Sequence, residues 1–176
     1  MKIRWMIRRD LPEVMDIMRR SYVEPWSEDE VLACMQCKTT IGRVVESDDR
    51  VIGFMLFDLG KKAISIVLLA VHPEERRLGV GRLMVERVVG KLAVVRRTAV
   101  NLLACEKDLC AHLFLKACGF RVVKTFAGMY DNDADGNVDR VRVKFSESMA
   151  NNVTLTGNFV TAIGAAAGNV NAIASV

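Results

Sequence analysis

The sequence predicts a mixed α/β domain in which a central sheet is covered by helices. Three observations predict it. Residues 64–71 form an uninterrupted, mostly apolar run that reads as a buried strand, and the turn Arg76-Arg77-Leu78-Gly79-Val80-Gly81 leads from it into a periodic helical stretch. Strand and helix signals follow one another through residues 1–145 in the order β-α-α-β-β-β-α-β-α-β-β. At 176 residues and 51% apolar, the chain is long enough to bury one sizeable core as a single domain.

Residues 3–7 read as the first strand, with Ile3, Trp5 and Ile7 on one face. Asp10 is expected to cap the first helix, with Pro12 in its first turn and Leu11, Val14, Met15 and Met18 at helical spacing. Tyr22 to Trp26 form a loop. Ser27 and Glu30 have the spacing of a capping box, which starts a second helix reaching about residue 39. Residues 42–46 and 51–58 form a hairpin around Ser47-Asp48-Asp49-Arg50. After the central strand, residues 79–95 form the third helix and residues 98–103 another strand. Asp108 caps a fourth helix, which Gly119 closes. Residues 120–126 and 138–145 are the last two strands. Residues 146–176 carry one charged side chain, Glu147, among many Asn, Ala, Gly and Thr. They are read as an atypical tail held by contacts, with a homodimer formed through it and residues 153–160 as an extra strand; the alternative is a low-complexity or flexible extension.

The formal net charge of +4 is modest. It suits anionic small ligands or a mildly acidic partner and does not by itself argue for nucleic acid, which is not expected because Arg8-Arg9 and Arg96-Arg97 are short pairs with no aromatic ladder beside them. The five cysteines, at 34, 37, 105, 110 and 118, are odd in number and scattered, which points to a reducing, cytoplasmic setting. Cys34 and Cys37 lie in a predicted helix, and neither His72 nor His112 has the spacing to complete a zinc site. No metal is expected, and most of the cysteines are read as small buried hydrophobes. The N-terminus lacks an apolar signal region and no segment reads as a membrane span.

The turn after the central strand carries chemistry. A helix N-terminus offers unpaired N–H groups, and glycines let a ligand approach the backbone closely, so the turn suits a pyrophosphate. Val71-His72-Pro73 leaves the sheet in extended conformation because proline restricts the residue before it. The turn lacks the third glycine of a dinucleotide fingerprint and the Gly-Lys-Ser/Thr of a P-loop.

With these elements in place, the chain resembles the GNAT superfamily of N-acetyltransferases, and is most similar to the bacterial ribosomal-protein N-terminal alanine acetyltransferases. Four stretches carry the resemblance: Pro25-Trp26-Ser27, Leu69-Ala70-Val71-His72-Pro73 with Arg76 to Gly81, Ala111 with Gly119-Phe120, and Met129-Tyr130-Asp131. It covers residues 1–145 and implies the GNAT fold, a mostly antiparallel mixed sheet with splayed central strands and about four flanking helices. It also implies acetyl transfer from acetyl-CoA to an amine. The pantetheine arm would pair with the backbone of Leu69, Ala70 and Val71, and a Val71 or Ala70 N–H would hold the thioester oxygen. The pyrophosphate would rest on Arg77, Leu78, Gly79, Val80, Gly81 and Arg82, with Arg76 adding charge, and with Asp108 and Leu115 at the family's cofactor positions on the fourth helix.

The resemblance also implies a glutamate base and a tyrosine acid. Those positions hold Leu103 and Leu115, which transfer no proton. Tyr130, Glu106 and His72 become the candidate catalytic residues, with Glu24 and Tyr22 behind them. Tyr130 serves equally well as an aromatic plug at the sheet edge. Tyr22, Glu24, Trp26 and Asp131 give the acceptor side aromatic and acidic character, which suits a cationic amine or a peptide N-terminus. The alternatives are a catalytically weak acyl-CoA sensor or interaction protein, or an acetyltransferase of a small-molecule amine.

Overall fold

Strand β4 (Ala63–Val71) is the centre of a seven-stranded sheet, and the other elements are placed around it. The computed structural model describes residues 1–92, 97–105, 108–127 and 138–145. Before β4 come β1 (Lys2–Trp5), α1 (Leu11–Ser21), α2 (Glu28–Gln36), β2 (Thr40–Ser47) and β3 (Arg50–Leu59). After it come α3 (Val80–Val89), β5 (Ala99–Leu102), α4 (Leu109–Ala117), β6 (Arg121–Ala127) and β7 (Val138–Phe145). The strand order is β1-β2-β3-β4-β5-β7-β6. Every pairing is antiparallel except β4 with β5.

The sheet is covered on both faces, so successive residues are buried along Val51–Phe57 of β3 and Ile66–Val71 of β4. Val44, Phe54, Leu56 and Ala70 pack with Val14, Met18 and Val31 under α1 and α2. Their neighbours Val45, Met55, Phe57 and Leu69 pack with Met84, Val85, Ala111 and Leu115 under α3 and α4. Gly53 lets the first turn of α3 close onto the sheet: a Cβ there would lie 3.1 Å from Val80 Cγ1 and 3.2 Å from the Ala70 carbonyl oxygen.

Local signals account for most element ends. Ser27 and Glu30 form a capping box, with Glu30 N–H donating to Ser27 Oγ and Ser27 N–H to Glu30 Oε2. The hairpin turn holds Asp48 at φ 50° and Asp49 at φ 59°, the pair of left-handed residues that a two-residue turn of matching twist needs. Asp108 accepts from Ala111 N–H at 2.9 Å, and Gly119 takes φ 86° after α4.

Three expectations are corrected. Helix α2 ends at Gln36, with the Cys37 N–H on the Cys34 carbonyl, short of residue 39. Helix α3 ends at Val89, with Gly90 at its C-cap, short of residue 95. Asp10 does not cap α1 with its side chain. Its carboxylate reaches back to the Ile7 N–H at 2.8 Å and forms a two-pronged pair with Arg4 at 2.7 and 2.8 Å. Arg4 also pairs with Glu46. Burial alone would raise the Asp10 pKa, but the bonds from Arg4 and Ile7 hold it below the ordinary carboxylate value. The tail, residues 146–176, and its expected contacts with a second copy lie outside the described residues.

Candidate active site

The site is built where β4 and β5 part. They pair only at Ala63–Ala99, Ile64–Val100 and Ser65–Asn101. Beyond Ser65, β4 continues to Val71, and its strand pairing among the described residues is with β3. The pairing with β3 shifts register between Leu56 and Phe57, opposite Leu68 and Ile66, which places a bulge at Val67.

The His72 N–H donates to the Ile52 carbonyl at 2.9 Å, which makes His72–Ile52 a hydrogen-bonded pair. Antiparallel pairs alternate, so Ala70–Phe54 and Leu68–Leu56 also bond across the ladder, while Leu69 and Val71 turn their amide groups toward the gap. This corrects one expectation: the Ala70 N–H serves the ladder and does not face a ligand. The Leu69 groups are already engaged. Tyr22 Oη donates to the Leu69 carbonyl at 3.0 Å and accepts from the Leu69 N–H at 3.2 Å. Arg76 Nε donates to the Val71 carbonyl at 3.1 Å. The Val71 N–H takes part in none of these bonds.

Beside the gap lies the glycine turn. Arg77 has φ 68° and Gly79 φ 83°, and these two left-handed residues bring the chain into α3. The first intrahelical bond runs from the Leu83 N–H to the Gly79 carbonyl, so the N–H groups of Val80, Gly81 and Arg82 open the helix without an i−4 partner. The helix dipole adds positive potential there. A cleft of about 290 Å³ runs from this turn to α4. It is lined by Val71, Glu75, Arg76, Arg77, Gly79, Val80, Gly81 and Arg82 on one side, and by Cys110, Leu113, Phe114 and Ala117 on the other. Arg82 spans the two sides, donating to the Ala117 carbonyl at 3.1 Å.

Of the residues read as cofactor-binding, the cleft gathers Val71, Arg76, Arg77, Gly79, Val80, Gly81 and Arg82. Leu69, Ala70, Leu78, Asp108 and Leu115 are not in its lining. Leu115 is 1% exposed in the core under α4, and Leu103 is also buried. Asp108 is partly buried at the head of α4. Burial raises its pKa, while the Ala111 and Cys110 amides and Arg76 oppose the rise. The α4 lining was missed, although Cys110, Leu113, Phe114 and Ala117 recur at i, i+3, i+4 and i+7, the spacing of one helix face.

Of the residues read as acceptor-binding, Tyr22 and Trp26 are buried and Glu24 is exposed. Burial pushes the Tyr22 pKa above its ordinary value, against the opposing bond to the Leu69 backbone. His72 is buried, with Nε2 3.9 Å from Asp16 of α1, and does not line the cleft. Tyr130, Glu106 and Asp131 lie outside the described residues. His112 is held neutral, its pKa lowered to about 4 by burial, and its Nε2 lies 3.2 Å from the Cys105 carbonyl. The cysteines depart from the expectation of burial: Cys34 is buried, Cys105 and Cys118 are half-buried, and Cys37 and Cys110 are exposed. Among the described residues, no three His, Cys, Asp or Glu side chains are grouped to hold a metal, and no helix is long and apolar enough to cross a membrane.

A β4–β5 pair that parts beside an open helix N-terminus suits an extended, phosphate-bearing ligand laid along a strand. The profile of the Acetyltransferase (GNAT) family matches residues 11–120, and the chain belongs to that family. It is similar to [Ribosomal protein bS18]-alanine N-acetyltransferase of Salmonella typhimurium, at 24% identity over 140 residues, covering 80% of this chain and 93% of the relative. The crystal structure of the ribosomal-protein-S18-alanine N-acetyltransferase from Escherichia coli superposes with a TM-score of 0.73 at 21% identity, covering 88% of this chain and 99% of that one. The PaiA N-acetyltransferase from Thermoplasma acidophilum in complex with coenzyme A superposes with a TM-score of 0.66 at 14% identity, covering 82% and 98%. Family membership supports acetyl-CoA-dependent acyl transfer as the class of activity.

Proposed function

We propose that the protein transfers an acetyl group from acetyl-CoA to a primary amine, with a peptide or protein N-terminal α-amine as acceptor, by direct attack in a ternary complex. One observation carries the reading: the glycine turn of α3 opens a cleft directly beside the gap where β4 leaves β5. The amides of Val80, Gly81 and Arg82, with the guanidinium groups of Arg77 and Arg82, suit the phosphates. The Val71 N–H suits an acceptor atom on the arm. The amine nitrogen attacks the thioester carbonyl carbon, the C–S bond breaks, and the thiolate takes up a proton while the new amide nitrogen loses one. Holding both reactants in place supplies much of the acceleration, which matters where Leu103 and Leu115 offer no proton. The similarity to the alanine N-acetyltransferases supports an α-amine acceptor.

A second reading has its own observation. Buried leucines at both proton-transfer positions and a Tyr22 hydroxyl on the Leu69 backbone suit an acyl-CoA-binding sensor. Calorimetry with acetyl-CoA, followed by thiol release with a mixed peptide and polyamine library, separates the two. Release with acetyl found by mass analysis on peptide α-amines supports the first reading. Acetyl on lysine side chains or polyamines alone removes the α-amine acceptor, and binding without release supports the sensor.

A further inference from the structure

Three of the β4 groups that face the gap, the Leu69 N–H and the carbonyls of Leu69 and Val71, are held by Tyr22 and Arg76, and both holders attach to the end of α1. Tyr22 Oη bonds both the N–H and the carbonyl of Leu69. Arg76 Nε bonds the Val71 carbonyl, and Arg76 Nη2 donates to Ser21 Oγ at 2.9 Å. Ser21 is the last residue of α1 and Tyr22 is its C-cap, so both attachments start the loop that carries Glu24 and leads to Trp26.

We propose that Tyr22 and Arg76 form a latch that closes the strand half of the cofactor slot in the unliganded protein, and that an acyl-CoA must open it, moving the acceptor loop as it binds. The proposal rests on the acetyl-CoA reading above and adds the coupling between cofactor and acceptor sides. An amide-bearing arm laid along β4 recognises it as an added strand would, through main-chain donors and acceptors. The latch holds three of those groups: the Leu69 N–H, the Leu69 carbonyl and the Val71 carbonyl. An arm displaces the latch by exchanging one set of hydrogen bonds for another. The phosphate half stays open, because the amides of Val80, Gly81 and Arg82 are not part of the latch. Cofactor pieces with and without the arm therefore differ in what they must displace.

The test titrates the wild type, Tyr22→Phe and Ser21→Ala with two ligands: acetyl-CoA, and adenosine 3′-phosphate 5′-diphosphate, which keeps the phosphates and lacks the arm. Tyr22→Phe leaves both Leu69 groups to the ligand, and acetyl-CoA is expected to bind about tenfold tighter. Ser21→Ala loosens the Arg76 tether, with an expected gain of about threefold. The armless fragment is expected to bind all three proteins alike. In a Trp5→Phe background, acetyl-CoA is expected to shift Trp26 emission and the fragment to leave it unchanged. Fragment binding with acetyl-CoA affinities that are equal across the three proteins, or weaker in Tyr22→Phe, overturns the latch alone. Failure of both ligands to bind the wild type overturns the acetyl-CoA reading and the latch with it. Should Tyr22→Phe not fold, Ser21→Ala, a half-exposed position, carries the same comparison.

Discussion

Gly79→Ala tests the anion cradle with a single methyl group. Gly79 sits at φ 83°, and a Cβ placed there meets no heavy atom within 4 Å. The methyl therefore brings no packing clash, and its stability cost is conformational. A left-handed L-residue costs about 1–2 kcal/mol, and the stiffer unfolded chain offsets roughly 0.4–1 kcal/mol of that. The net loss is about 1 kcal/mol, a fall in melting temperature of roughly 2–4 °C for a chain of this size. Binding should suffer more, because Gly79 lines the cleft and the methyl takes space that a phosphate needs. Losing one charge-assisted hydrogen bond costs about 1.5–3 kcal/mol, or roughly tenfold to a hundredfold in Kd. Thermal melts and acetyl-CoA calorimetry well below the melt measure the two effects separately. Wild-type affinity in a variant that melts as expected would refute the cradle. A melting loss above about 8 °C would refute the open space around Gly79.

Asp10→Ala leaves Arg4 and the Ile7 N–H without their carboxylate and is expected to cost about 2–3 kcal/mol in urea unfolding; a loss under about 0.5 kcal/mol would show the pair to be idle. His112, with an ordinary pKa near 6.5 and a folded value of about 4, binds its proton more readily when unfolded. Stability should therefore fall as pH drops from 6.5 to 4, by up to about 3 kcal/mol, and His112→Gln should flatten that limb. Asp108→Asn keeps an oxygen for the Ala111 N–H and removes a negative charge near Arg76, so acetyl-CoA should bind about threefold tighter at low salt with an unchanged melt; equal affinities would place Asp108 outside the cofactor's field.

Much of the fold was legible because local chemistry set it. Ser27 with Glu30, Asp108 and Gly119 each satisfy backbone groups within a few residues, so type and spacing suffice to read them. Asp10 was misread for the opposite reason: it has the residue type of a cap, yet its best partner is Arg4, on another element. Gly90 stood inside the expected third helix as a visible stop that periodicity overrode. The orientation of Leu69, Ala70 and Val71 was not legible, because a strand's alternation gives two answers until one hydrogen-bonded pair, here His72–Ile52, decides between them. Tyr22 read as an acceptor-side aromatic, since nothing near it in the chain announces that its hydroxyl bonds the Leu69 backbone.

The two halves of the site differ in what they ask of a sequence. The half read as phosphate-binding is mostly backbone: helix-start amides and a left-handed turn in which glycine at 79 keeps the approach to those amides open. The proton half asks for a titratable side chain at a set place, and Leu103 and Leu115 are instead absorbed into the core. A hydroxyl does reach the gap, from Tyr22 at the end of α1, and it is bonded to both backbone groups of Leu69 on β4. The proposed latch therefore makes the loop after α1, more than α4, the element whose movement acetyl-CoA binding should report.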